Sequence, residues 1–183
     1  MSYDILKKTK TREKAIKRYY KNAYTQEWID VRNEATIARK DFISALYSRR
    51  KRIFLDHAFY TNTTIDKNEL SKKISNDISI LTDTMISVWS GWTARQYRQL
   101  KNLTNGQDLH DNMTKFELRM LIIAENEAKR LIDLENPSKF DDFLSIVIRS
   151  GNFAKSQGEI FKKIYGKYPV TNIIKNGYDE LNF

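Results

Sequence analysis

The sequence predicts a mostly α-helical protein: a long amino-terminal helical hairpin carrying a basic arm, packed on a small helical carboxy-terminal body with an extended segment or short strand near the end. Three observations lead there. All six glycines lie at or after Gly91, and both prolines, Pro137 and Pro169, come later still, so the first 90 residues hold no strong helix breaker. Two series of apolar residues recur at alternating spacings of three and four, the period of a helix with one buried face. Two threonine-led capping boxes start further helices between Val88 and Arg130, a stretch that holds two of the three tryptophans and the longest apolar run.

Taken in order, the first series is Trp28, Val31, Ala35, Ala38, Phe42 and Ala45, widened by Ile29, Ile37, Ile43 and Leu46. Ile16, Tyr19, Tyr20, Ala23 and Tyr24 continue it upstream, which predicts one helix from about Thr11 to about His57, bent near Ala23 to Gln26. Tyr60 to Ile65 interrupts the period with β-branched and turn-forming residues. Asp66, with Glu69 three residues on, starts a second helix whose stripe is Ile74, Ile78, Leu81, Met85, Val88 and Trp92, ending at Gly91. Two such stripes joined by a short polar loop pack as an antiparallel pair, and a homodimeric coiled coil is the competing use of the same pattern. A homodimer is expected through one or both stripes, because they offer more apolar helix surface than a carboxy-terminal body of roughly 90 residues covers.

Thr93 with Gln96, and Thr114 with Glu117, form the two capping boxes, and the core is expected to need the junction at Trp92 and Thr93. Between the boxes Asn105-Gly106 marks a structured loop from Leu103 to Asn112. The helix begun at Thr114 is apolar around much of its circumference, from Phe116 to Leu131, and reads as the buried helix of the body. Asn136-Pro137-Ser138 ends it. Ser138 with Asp141 caps the next helix, and Gly151 and Gly166 stand where two short helices would end. The tail from Lys167 carries Pro169 and β-branched residues and is expected to be extended. The chain thus divides into a basic arm and hairpin, residues 1–90, and a helical body, residues 91–183.

Composition narrows the chemistry. With no cysteine there are no disulfides and no thiolate metal sites. The opening MSYDILKKTKTREK lacks the apolar core of a signal peptide, and no run approaches the roughly 20 apolar residues that span a bilayer, so a cytoplasmic protein without a membrane partner is expected. No glycine spacing builds a phosphate loop: Gly151-Asn152-Phe153-Ala154-Lys155 lacks the second glycine. His57 and His110 are the only imidazoles, and neither stands at helical ligand spacing from another donor. Asp108-Leu109-His110-Asp111 would suit a divalent ion, but loop carboxylates beside a helix start more often form turns. Neither a metal nor a cofactor is expected, and the chain reads as non-enzymatic.

The net charge of +9 is informative because of its position. Residues 1–52 hold 15 Lys and Arg against 6 Asp and Glu, and residues 53–183 hold 17 of each, so the whole excess sits in the first third. A positive arm on a neutral body suits a phosphate-rich partner, although lysines on a solvated helix also serve solubility. The arm cations are Lys7, Lys8, Lys10, Arg12, Lys14, Lys17, Arg18 and Lys21. Tyr19, Tyr20 and Tyr24 lie among them, placed either to stack on bases or to pack against a partner helix. A second group, Arg49, Arg50, Lys51 and Arg52, wraps most of a helical turn without enough acids nearby, which points to phosphate contacts that position without reading sequence.

The central stretch also carries a likeness. Trp92, Thr93-Ala94, Tyr97-Arg98, Leu103, Asp111-Asn112-Met113-Thr114, Glu117-Leu118 and Ala124-Glu125, followed by the segments Ser150 to Ala154 and Tyr165 to Thr171, resemble the carboxy-terminal half of phage antirepressors and of the DNA damage-inducible protein D family. The resemblance runs from about Val88 to Gly177, half of the chain. It departs at His110, where those proteins usually have a basic residue, and their amino-terminal DNA-binding module is not recognisable in residues 1–87. It implies a phage or mobile-element protein acting in gene control or the DNA-damage response, and it transfers no DNA-reading surface. Together these readings give a regulator that binds nucleic acid, DNA in preference to RNA, through its basic arm and contacts a host or phage protein through its body. An alternative is a protein-binding inhibitor, an antirepressor or an anti-defence factor such as an anti-CRISPR, aimed at a host complex that handles nucleic acid. A third is a purely structural oligomer.

Overall fold

A computed structural model describes residues 13–19, 24–64, 66–166 and 168–170. The protein is mostly α-helical, and the described residues contain no strand. A helical segment at 13–19 precedes α1 (Gln26–Thr61), α2 (Lys67–Ser90), α3 (Ala94–Leu100), a 3₁₀ turn (His110–Asn112), α4 (Lys115–Glu135) and α5 (Phe140–Tyr165).

Local chemistry sets each boundary. Thr25 is extended, and its hydroxyl accepts from the Trp28 amide, so α1 starts there and does not run on from 13–19. Asn62 ends α1 in the left-handed region at φ 52°, which asparagine tolerates well. Asp66 accepts from the Asn68 amide to open α2, and Gly91 closes it at φ 80°. Thr93 with Gln96 and Thr114 with Glu117 both form complete capping boxes. At α5 the carboxylate that accepts from the Ser138 and Lys139 amides is Asp142, not the expected Asp141, because Lys139 is the residue at the cap.

α1 packs mainly on α4, α2 mainly on α5, and α4 and α5 pack on each other. One hydrophobic core, running from Trp28 and Phe42 through Leu81 and Trp89 to Leu121 and Phe143, joins helices from both sides of residue 90. Trp28, Val31, Ala35, Ala38 and Phe42 of the first stripe, and Ile74, Leu81 and Met85 of the second, are buried within this one chain. They therefore leave no free stripe on which the expected homodimer would form.

Two sequence expectations need correction. Trp92 is 40% exposed, and it is Trp89, at 1%, that joins Trp28 in the core. The helix period carries the buried face from Met85 to Trp89, and α2 has ended at Ser90 before Trp92 is reached. Gly151 is not a helix end: α5 runs through it for 26 residues. A Cβ there would lie 2.8 Å from Val88 Cβ and 2.9 Å from the Met85 carbonyl oxygen, so glycine is required where α5 crosses α2. Gly166 does end α5, at φ 73°.

Candidate nucleic-acid interface

Four consecutive residues on a helix turn through about 300°, so the run Arg49 to Arg52 cannot present one face. It divides in two. Arg49 donates from Nε to the Pro137 carbonyl (2.8 Å) and from Nη2 to the Asn136 carbonyl (2.9 Å), capping the end of α4 with a cation. Arg50 is 6% exposed, pairs with Asp77 of α2 at 3.0 Å from Nε, and lies over the rings of Phe54, Phe140 and Phe143. The sequence held the signal for this: Arg50 continues the buried series Phe42 and Leu46 at spacing four. Lys51 and Arg52 face solvent, and Arg52 has only a loose 3.9 Å approach to Asp56.

The arm cations also differ in use. Lys14 and Lys17 are exposed. Arg18 donates to Asp111 at 2.7 Å. Lys7, Lys8, Lys10, Arg12 and Lys21, with Tyr20, lie outside the described residues. Asp111 is the anchor of this end of the molecule, since its Oδ1 also accepts from Tyr19 (2.8 Å) and Arg32 (2.9 Å), and its carbonyl from Tyr24 (2.9 Å). The rings of Tyr19, Tyr24 and Trp28 cluster at 4.2 to 5.5 Å. Burial, reinforced by Asp111, raises the pKa of both tyrosines. Of the two uses open to these tyrosines, Tyr19 and Tyr24 take the packing one.

Asp108 behaves as a turn former. Its Oδ1 accepts from the His110 and Asp111 amides, and the His110 side chain, more than any other neighbour, holds its carboxyl well below the usual range. Among the described residues no three His, Asp or Glu side chains converge as a metal site. Beside this turn, Arg39, Asp83, Arg95, Arg98 and His110 line an open cleft of about 480 Å³. Its charges are largely committed: Arg39 pairs with buried Glu125, Asp83 accepts from the Ala94 amide, and Arg98 donates to the Thr104 and Gln107 carbonyls.

Tyr97, Lys101, Thr114 and Glu117 form a framework. Glu117 is fully buried and accepts from the Thr114 amide (2.7 Å), Tyr97 OH (2.5 Å) and the Lys101 ammonium (2.8 Å), itself fully buried. This network ties α3 and the loop after it to α4. No family model matches the chain, and no curated protein or solved structure matches it with significance.

One exposed aromatic surface lies outside every stripe and charge run of the sequence. Phe59 (82% exposed) and Tyr60 (84%) end α1 in edge-to-face contact at 5.8 Å, and both project into solvent. A break in the buried period after Ala58, followed by two aromatics and a turn, was the available signal. No described helix is long and apolar enough to cross a membrane.

Proposed function

We propose that this is a non-enzymatic regulatory protein of phage or mobile-element origin that binds nucleic acid, DNA in preference to RNA, through its basic amino-terminal segment. The observation that carries this reading is the charge partition, with the whole excess of +9 lying in residues 1–52. Exposed Lys14, Lys17, Lys51 and Arg52 are the described cations best suited to phosphate, because none is drawn into the core. Salt titration of a labelled duplex with the full chain tests it: affinity falls steeply with salt through counterion release, and replacing those four residues with glutamine weakens all sequences about equally. Absence of binding at low salt overturns the reading.

The carboxy-terminal body serves for protein contacts in this reading, as in the alternative of an antirepressor or anti-defence factor. Phe153, Ile160 and Ile164 support it: spaced by seven and four, they share one face of α5 and all remain exposed. A homodimer, if the protein forms one, would use this face in place of the two buried stripes. Light scattering with and without serine at the three positions tests for self-association. A pull-down with and without nuclease separates a protein target from nucleic acid.

A further inference from the structure

We infer that the turn end of α1 and α2 is a single-strand contact, where bases stack on Phe59 and Tyr60 while neighbouring lysines meet the phosphates. The inference rests on the nucleic-acid reading and adds to it a site and a strand class. Two contacts set the register between the helices, Arg50 with Asp77 and Lys73 over the Phe54 ring at 4.8 Å. Both pairs add to the same register sum, as they must when the helices run in opposite directions, so residues 51–64 and 66–76 lie on the turn side of the Arg50–Asp77 contact.

That end is cationic and aromatic together. It carries Lys51, Arg52, Lys67, Lys72 and Lys73 against Asp56, Asp66 and Glu69. Asp66 is occupied in capping α2, and Asp56 faces Arg52, whereas Lys51, Lys67 and Lys72 have no ion pair among the described residues. The two rings are the most exposed large apolar side chains of the described chain. An isolated soluble helix end gains nothing by leaving two aromatic faces in water, whereas a stacked base covers such a face whatever its identity. A duplex offers its phosphates to the lysines but keeps its bases stacked inside, so only a strand with free bases uses both parts of the surface.

The experiment measures binding of the full chain to a labelled oligo-dT strand and to a mixed-sequence duplex of the same length, at low salt. Wild type is compared with Phe59→Ala/Tyr60→Ala, Phe59→Leu/Tyr60→Leu and Phe59→Trp/Tyr60→Trp, each checked for an unchanged melting temperature. The expected result is a loss on the order of tenfold or more for the single strand in both the alanine and leucine variants, duplex affinity within about twofold, and single-strand affinity retained by tryptophan. Retention by leucine overturns stacking and leaves an apolar docking patch. Equal losses on strand and duplex also overturn it, as does binding to anionic vesicles that the alanine variant alone loses while single-strand affinity is unchanged. Wild type that binds neither nucleic acid defeats the parent reading along with this one, whereas wild type that binds both, with every variant unaffected, defeats only the stacking site.

Discussion

Lys101 and Lys51 carry the same ammonium group and meet opposite fates. Lys101 is fully buried after α3, 2.8 Å from Glu117 and over the Tyr97 ring, while Lys51 stands in solvent beside Arg50, which is itself buried against Asp77. The Lys101–Glu117 pair keeps its charges inside the fold, and the turn end of α1 and α2 keeps those of Lys51 and Arg52 outside. A run of cations in a sequence therefore does not say which of its members are free to meet a partner. A buried ion pair fixes the arrangement of its partners but is a poor net source of stability, and it becomes expensive only when one member is removed.

The largest expected effect lies in the Lys101–Glu117 pair. Glu117→Ala leaves Lys101 buried without its carboxylate and takes the acceptor from Tyr97 OH and the Thr114 amide, so it should cost on the order of 3 to 5 kcal/mol. Lys51→Gln, by contrast, should stay within about 0.5 kcal/mol. Urea denaturation of the two variants checks both, and equal effects would break the distinction between the regions.

The next contrast separates two tryptophans three residues apart. Trp89→Ala should cost about 3 to 5 kcal/mol through the cavity it leaves between α2 and its neighbours, and Trp92→Ala about 1 kcal/mol, since much of that ring already meets water. Melting temperatures decide it. A larger loss at Trp92 would return the core to where the apolar spacing first placed it.

These contrasts also show what was legible in the chain. Helix starts were, because a threonine cap and its glutamine or glutamate partner act within four residues; Thr93 and Thr114 behave as their local sequence demands. The stripe of α1 was legible because it is long. What failed depended on partners far along the chain. Gly151 reads as a helix end until Val88 is laid against it, and Arg50 reads as a free cation until Asp77 and three rings enclose it. At the candidate site, the charge partition was visible in the sequence, whereas the exposure of Phe59 and Tyr60 was not, since an aromatic beside a helical stripe ordinarily continues the core.

A dependence on pH tests the buried charges against one another. Glu117 has donors on both carboxylate oxygens, whereas Glu125, equally buried, has Arg39 on Oε1 and, among the described residues, no hydrogen-bond partner on Oε2. Burial pushes the Glu125 carboxyl up from 4.5 to about 7, and Arg39 only partly offsets it. A carboxyl raised on folding holds its proton more tightly in the folded chain than in the unfolded one. Stability therefore falls as pH rises from about 4.5 to about 7, by up to about 3 kcal/mol, and this contribution is flat beyond. Glu125→Gln keeps the shape and an acceptor for Arg39 but removes the titration. Its stability relative to wild type should improve between pH 5 and pH 8, read from urea midpoints at the two values. Parallel pH profiles for the two proteins would mean that Glu125 is as well compensated as Glu117, and that the second oxygen has a partner in solution.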